Sequence, residues 1–123
     1  LAIFNFPIVR LDSALQAVEA GQAIIQAVRT LSEKDDSVPL GVGVGIHTGE
    51  ITVGKIGEAG RDLTAIGPTV NMAARLQGVA QASEILVSAA TYAQLNNRWP
   101  NLPPRTLQLK GIAEPMAAHA IMA

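Results

Sequence analysis

The stretch DLTAIGPTVNMAARL, residues 62–76, contains the start of a helix directly after a glycine. Pro68 suits the first helical position, which needs no backbone donor and for which proline already has the right φ. Apolar residues then recur at helical spacing, with Met72 and Leu76 four apart. We therefore predict a helix that begins at Pro68 or Thr69 and ends at about Val79.

Two polar residues of this helix, Asn71 and Arg75, are also four apart, so their side chains lie together on one flank. On spacing alone, the pair is most simply a solvated helix face. The other interpretation is a nucleotide site, because a guanidinium fork suits phosphate oxygens and an uncharged amide can hold a sugar. The surrounding sequence has to decide between the two.

The first half of the chain predicts further elements around this helix. LAIFNF (1–6) is typical of a short strand ended by proline, and a period of 3.6 residues predicts a helix from Asp12 or Ser13 to about Leu31. A polar connection, SEKDDSVP (32–39), follows. A hairpin is predicted over 42–56, where a strand is followed by an HTGE turn and a returning strand, ITVGKI.

The first strand of that hairpin has an unusual face. Gly41, Gly43 and Gly45 alternate with valines, which predicts one packed face and one bare face. A bare strand face indicates close approach by a helix, a partner chain or a ligand. The run is not a dinucleotide-binding loop, because its glycines alternate within a strand and do not open a helix.

The second half predicts a strand at 84–88, a short helix at 89–96 and two final strands within 104–111 and 114–122. Helices and hairpins mix along the chain, so the predicted fold class is α+β with a mostly antiparallel sheet packed with helices. With 123 residues, the chain is expected to form one domain, 1–123.

Composition narrows the possible functions. Hydrophobic residues make up 49% and charged residues 15%, which is typical of a globular domain. A net charge of −1 offers no basic field for nucleic acid or an anionic membrane, and no apolar run of about 18 residues could span a bilayer. The lack of cysteine excludes disulfides and zinc–thiolate sites and fits a cytoplasmic setting. Because the sequence opens within an apparent strand and not on Met, we expect a piece of a longer signalling or membrane protein.

Four blocks, GIHTGEITVGKIG, RDLTAIGPTVNMAARL, EILVSAATY and LQLKGIAEP, occur in this order and cover most of the chain. Together they strongly resemble the class III adenylate and guanylate cyclase catalytic domain. The resemblance is to its C-terminal part and implies a ferredoxin-like core whose N-terminal part is missing. LAIFNFP resembles the strand that directly follows the family's second metal-binding aspartate.

In such cyclases two domains pair head to tail, and ATP is converted to 3′,5′-cyclic AMP and pyrophosphate between them. The resemblance therefore implies a homodimer. Asn71 matches the asparagine that positions the ribose, and Arg75 matches the arginine that stabilises charge growing on the α-phosphate. These two residues are the predicted catalytic residues.

Two further positions are implied as substrate-binding. Thr64 matches the position where many members carry an aspartate that reads adenine; threonine stands there in a bacterial subset, and its hydroxyl can still accept one hydrogen bond. Lys110 resembles a loop lysine that reaches the triphosphate. Read without the resemblance, Thr64 is an ordinary strand residue and Lys110 a solvated side chain beside a turn.

The family's two Mg²⁺ or Mn²⁺ ions are held by aspartates that have no match in this sequence, so we expect no metal ligand in this chain. The chain alone is therefore expected to be inactive. His47 and His119, its only histidines, are expected to be structural. The alternative function is a non-catalytic cyclase-like domain that binds nucleotide, regulates, or dimerises through the glycine face.

Overall fold

The structure, a computed structural model, describes residues 1–6, 8–34, 41–56 and 62–122. Its elements in chain order are α1 (Ser13–Lys34), β1 (Val44–Ile46), β2 (Thr52–Ile56), β3 (Asp62–Ile66), α2 (Pro68–Val79), β4 (Glu84–Ser88), α3 (Ala89–Tyr92), β5 (Arg105–Leu107) and β6 (Met116–Met122). Both long helices are confirmed, α1 extending slightly beyond its predicted end. Of the predicted polar connection 32–39, residues 35–39 lie outside the described residues.

The strands form a four-stranded sheet in the order β1-β4-β6-β5 and a separate antiparallel pair of β2 and β3. In the larger sheet, β1 is parallel to β4, while the β4–β6 and β5–β6 pairings are antiparallel. The predicted α+β class with a mostly antiparallel sheet is therefore confirmed. Every residue of β4 is buried, because this strand lies inside the sheet and both of its faces are covered.

The two faces of β4 belong to two cores. Ile85 and Val87 pack with Val18 and Ile25 of α1, whereas Leu86, which points the other way, packs with Leu76 of α2. Each helix thus covers one side of the sheet. The side chain of Leu76 is fully buried, which anchors the last turn of α2.

The predicted hairpin over 42–56 is wrong. β1 pairs with β4, and β2 pairs instead with β3, which the sequence analysis did not count among its elements. Side-chain contacts explain why the chain leaves the sheet after β1: His47 Nδ1 lies 2.8 Å from Ser88 Oγ, and Thr48 Oγ1 lies 2.8 Å from Thr91 Oγ1. These contacts hold the supposed turn against the N-terminus of α3.

The predicted strand at residues 1–6 is also wrong, since this segment has no regular secondary structure. A strand needs a neighbour to satisfy its backbone groups, and no described strand pairs with this segment. Its side chains are correspondingly open to solvent, with Leu1 85% and Phe6 47% exposed.

Candidate functional site

The helix that carries Asn71 and Arg75 rests on the glycine face of residues 41–45. A Cβ at Gly45 would clash with the backbone of α2, lying 2.7 Å from the carbonyl oxygen of Ala73. At Gly43 it would lie 2.7 Å from the carbonyl oxygen of Ala80. Such distances are too short for real side chains, so only glycine permits this approach.

This packing corrects one part of the sequence analysis. The bare face of Gly41, Gly43 and Gly45 is covered within the chain, by α2 and by Ala82 just beyond it. It is therefore not open to a second copy of the chain. The dimerisation alternative loses the surface on which it was based.

The opposite face of α2 presents the two predicted catalytic residues. Asn71 and Arg75 each stand two positions from Ala73, which places them about 200° around the helix from the residue that contacts Gly45. Both side chains are exposed. The helix is therefore fixed along one side and carries its polar pair on the other.

Arg75 lies beside the turn that contains Lys110. The amide of Ile112 donates to the carbonyl oxygen of Leu109 at 3.1 Å, which closes the turn around Lys110 and Gly111. A Cβ built on Gly111 would lie 3.6 Å from Nη2 and 4.0 Å from Nε of Arg75. The structure thus brings the Arg75 guanidinium to the segment of Lys110, although the two residues are distant in sequence.

The charges at this place are not neutralised by the described residues. The ion pairs found among them are Arg10 with Asp12 and Arg105 with Glu84. Neither Arg75 nor Lys110 has a carboxylate partner there. Two exposed cationic side chains near one turn favour an anionic ligand such as a phosphate.

Thr64 belongs to β3, where its backbone is paired with that of Gly54. β3 leads into α2 through Gly67, which has a φ of 130°. The side chain of Thr64 lies outside the described residues, so its contact with a base stays a prediction.

The side chains at this site do not fit a metal. Asn71, Arg75 and Lys110 offer an amide and two cations, whereas Mg²⁺ prefers carboxylate, carbonyl and water oxygens. Within the described parts of the chain, no three histidine or acidic side chains cluster so that they could hold an ion. The divalent ions that the family uses would need ligands from elsewhere.

A polar network that was not predicted from the sequence joins the segment after β1 to the N-terminus of α3. Ser88 Oγ contacts His47, accepts from the Thr91 amide at 3.3 Å and lies 3.2 Å from Thr91 Oγ1. Burial lowers the pKa of His47. A serine directly before α3, which is shorter than the predicted 89–96, was the available signal, since serine is a preferred N-cap residue.

The second histidine makes contacts of a similar kind. The His119 ring stacks on Tyr92 with centroids 3.8 Å apart, and its Nδ1 lies 3.1 Å from the carbonyl oxygen of Leu102. Tyr92 in turn donates its hydroxyl to the carbonyl oxygen of Trp99 at 2.6 Å. These contacts hold the long connection between α3 and β5 against the sheet.

A cavity of about 1170 Å³ lies between segment 1–6, α1, β1 and α2. Its lining is largely apolar, and none of Asn71, Arg75 and Lys110 contributes to it. The cavity is therefore not the candidate nucleotide site. Within the described residues, no helix is long and apolar enough to cross a membrane.

Comparison with known proteins decides the family. The model of the "Adenylate and Guanylate cyclase catalytic domain" matches residues 1–123. The chain belongs to this family. Adenylate cyclase 1 of Rhizobium meliloti is 30% identical over 116 residues, which cover 89% of this chain and 17% of that protein.

Solved cyclases share the fold of this family member. The guanylyl cyclase Cya2 is 30% identical with a TM-score of 0.83, over 95% of this chain and 61% of Cya2. The adenylyl cyclase CyaB from P. aeruginosa is 28% identical with a TM-score of 0.78, over 98% of this chain and 65% of CyaB. The chain thus spans less than two thirds of either cyclase structure.

Two further domains show the fold alone. The guanylate cyclase domain of RhGC from Catenaria anguillulae, solved with GTP, is 24% identical with a TM-score of 0.77, over 98% of this chain and 65% of that one. A dimeric guanylyl cyclase domain from Blastocladiella emersonii is 20% identical with a TM-score of 0.68, over 96% and 63%.

Proposed function

We propose that this chain is the C-terminal part of an adenylate cyclase catalytic domain that converts ATP to 3′,5′-cyclic AMP and pyrophosphate. The observation that carries the proposal is the Arg75 guanidinium, which lies without a carboxylate partner among the described residues beside the turn of Lys110. Asn71 stands one helical turn away on the same exposed flank. Family membership supplies the reaction class.

Each side chain has a distinct task in this proposal. The Asn71 amide holds the ribose so that its 3′-hydroxyl faces the α-phosphate. Arg75 donates to the phosphate oxygens as negative charge grows on them, and Lys110 holds the phosphates that leave as pyrophosphate. Phosphoryl transfer depends chiefly on such positioning and charge stabilisation, so exposed donors on a rigid helix suit it.

In this proposal, the ligands of the metal ions are residues other than Asn71, Arg75 and Lys110. Divalent ions neutralise phosphate charge in this class of chemistry, and the donors of this chain do not fit their coordination. We propose that the missing carboxylates come from another part of a complete domain, in a second copy paired with this one. The chain alone should therefore form no cyclic nucleotide, even with Mn²⁺.

A homodimer is part of the proposal, because the metal ligands and the Asn71–Arg75 pair of one site are supplied by two copies of the domain. Asn71 and Arg75 are exposed and face away from the cores of their own chain, so a second domain can close over them. The Blastocladiella domain forms a non-canonical dimer, so it supports only the occurrence of dimers in this fold. A complete domain that sediments as a strict monomer at high concentration, with ATP and Mg²⁺ present, would contradict this part.

The choice of base rests on Thr64. Its hydroxyl can accept a hydrogen bond from the adenine amino group, so the complete domain should make cyclic AMP from ATP and little cyclic GMP from GTP. Both adenylate and guanylate cyclases occur among the relatives, so the test must compare the two nucleotides directly. Equal turnover of ATP and GTP would overturn the adenine assignment.

The decisive experiment uses Arg75→Ala in the complete domain. We expect turnover to fall about 10²–10³-fold, as for loss of one preorganised donor to a developing charge, while ATP affinity changes less. Asn71→Ala should also lower turnover, because the ribose is then misplaced.

A mixing experiment separates a shared site from a self-contained one. The Arg75→Ala variant is combined with a variant whose metal-binding aspartates are replaced, and heterodimers are verified by differential tagging. One site of each heterodimer then joins an intact Arg75 to intact carboxylates, so some activity should return. Heterodimers as inactive as either variant alone would show that the two halves do not share a site.

The second candidate is a cyclase-like domain that binds nucleotide without turnover. The unpartnered Arg75 beside the turn of Lys110 suits a bound phosphate whether or not turnover follows. Calorimetric ATP binding by the complete domain, without cyclic AMP formation in Mg²⁺ or Mn²⁺, would select this candidate.

A further inference from the structure

We propose that Gly49 is a positioning residue for Asn71: it lets the first turn of α2, residues 68–71, rest directly against the backbone of segment 47–49. The inference rests on the proposed cyclase function and adds to it a residue that acts through the helix, without touching substrate. Its basis is a set of contacts that connects the core to the beginning of α2.

The first turn of α2 has few bonds of its own. Its N-cap residue, Gly67, offers no side chain, so no side-chain hydrogen bond satisfies the first free amides of the helix. The Asn71 amide donates to the carbonyl oxygen of Gly67 at 3.1 Å, and Asn71 is the first residue of the helix able to make such a bond. The place of Asn71 therefore depends on contacts from outside the helix.

Such a contact is made by Thr69, in the same turn. A Cβ at Gly49 would lie only 2.5 Å from Oγ1 and 3.1 Å from Cγ2 of Thr69. The threonine side chain thus already occupies the space that a side chain at position 49 would need. Gly49 does not have the positive φ of Gly67 and Gly111, so the close approach of Thr69, and not the backbone conformation, requires glycine.

Segment 47–49 is itself attached to the core. His47 Nδ1 lies 2.8 Å from Ser88 Oγ, and Thr48 Oγ1 lies 2.8 Å from Thr91 Oγ1. Ser88 and Thr91 are both buried, at the end of β4 and in α3. The segment is therefore held on the side away from α2, which makes it a firm support for the first turn.

The contact at Gly49 is separate from those that hold the rest of α2. Gly43 and Gly45 meet the backbone of the helix at Ala80 and Ala73, at its C-terminal end and in its middle. Gly49 meets its beginning. A change at Gly49 should therefore displace the first turn while the remainder of the helix keeps its place.

This arrangement has a functional consequence. The proposed task of Asn71 is to hold the ribose so that its 3′-hydroxyl faces the α-phosphate, and a misplacement of about 1 Å is enough to cost a large part of such a rate. Arg75 and Lys110, the proposed phosphate contacts, lie outside the first turn. Displacement of that turn should thus lower kcat more than it weakens ATP binding.

Three variants of the complete domain test the contact: Gly49→Ala, Thr69→Ala and the two combined. Gly49→Ala should lower kcat by up to about 10²-fold, with a smaller change in KM. The double variant should be more active than Gly49→Ala, because loss of Oγ1 and Cγ2 makes room for the new methyl group and leaves it 3.4 Å from the Cβ at position 69.

Gly78→Ala is the control, because a Cβ there meets nothing within 4 Å; its kcat should match that of the unaltered domain. A double variant no more active than Gly49→Ala would overturn the proposal. So would a Gly49→Ala variant whose KM rises as much as its kcat falls.

Hydrogen exchange gives a readout that does not depend on activity. The Asn71 amide should exchange faster in Gly49→Ala, whereas the Ala80 amide, bonded to the carbonyl oxygen of Leu76 at 3.0 Å, should change little. Thr69→Ala should show the same difference, although alanine is the better helix former, and it supplies the test if Gly49→Ala does not fold.

Equal changes at the two amides, or none at Asn71, would overturn the inference. An unaltered domain that makes no cyclic nucleotide would instead defeat the proposed function. The exchange rates of the two amides would still test the role of Gly49 in that case.

Discussion

Along one face of α2, the glycines of residues 41–45 leave no room for a side chain between strand and helix, whereas along the opposite face Asn71 and Arg75 stand exposed. The first face is in contact with backbone atoms. On the second face, a Cβ built on Gly111 would come only to ordinary van der Waals distance from Arg75.

The difference separates what holds the helix from what the helix carries. Backbone contact with Gly43 and Gly45 and the buried Leu76 determine where α2 lies. Asn71 and Arg75 contribute little to that placement, so their side chains can be selected for chemistry. Substitutions on the buried face should therefore lower mainly stability. Substitutions at Asn71 and Arg75 should lower mainly turnover.

The largest loss of stability is expected at the buried face, from Leu76→Ala. Leu76 is fully buried, and truncation of such a leucine costs about 2–5 kcal/mol because a cavity remains. Urea unfolding of the complete domain measures the change. A loss no greater than that of an exposed-face variant would contradict the anchoring role of Leu76.

Gly45→Ala should have the next largest effect. Its Cβ would meet the backbone of α2, which cannot rotate aside as a side chain can, so helix or strand must move. Overpacking of this kind costs about 1–3 kcal/mol. Thermal unfolding gives the measurement, and Gly78→Ala, where the added methyl is unopposed, is the matched control. If both alanines have the same effect on the melting temperature, close packing at Gly45 is not limiting.

A smaller, pH-dependent effect is expected from His47, which holds the segment after β1. Burial lowers its pKa below the ordinary 6.5. Near and below pH 6.5, His47 therefore binds a proton more readily in the unfolded chain than in the folded one. Stability should be complete above pH 6.5 and decline as the pH falls toward the lowered pKa. The imidazolium also loses the ability to accept at Nδ1, next to Ser88.

His47→Gln tests this effect, because glutamine keeps hydrogen-bonding groups and cannot titrate. Urea midpoints are compared at a pH well above and a pH below 6.5. The variant should show a flatter decline than the unaltered protein. Parallel declines would assign the pH dependence to other groups.

The smallest change in stability is expected from Asn71→Ala. Exposed substitutions usually alter the free energy of unfolding by no more than about 0.5 kcal/mol, and alanine is the better helix former. Turnover should nevertheless fall, since the ribose loses its positioning group. A large loss of stability would show that Asn71 helps to hold α2 and would break the contrast between the faces.

Local patterns were sufficient to predict α1, α2 and β4, because their hydrophobic period and end signals lie within single segments. The four ordered blocks were sufficient to identify the family. The pairing of strands was not predictable from local patterns. Val44 of β1 lies opposite Ile85 of β4, about forty residues away, and no local turn signal encodes that register.

In the candidate site, too, local features were predictable from the sequence and long-range packing was not. Asn71 and Arg75 were found from their spacing and context, since both stand on one helix. The closeness of Arg75 to the 109–112 turn was not predictable, because it depends on how α2 and that turn pack into a common core. The glycine face was recognised as a close approach, but the sequence left open whether a helix, a partner chain or a ligand covers it, and the structure places α2 there.

The position of β1 has a practical consequence. Among the described strands, β1 is the terminal strand of its sheet and borders the largely apolar cavity, which is also lined by the exposed Leu1. Open strand edges beside apolar surface promote aggregation. We therefore expect the 123-residue chain, produced by itself, to scatter light increasingly with concentration. A Lys substitution at Val44 or Ile46 would harm the core on which both residues pack, so solubility is better sought by extending the chain than by altering this edge.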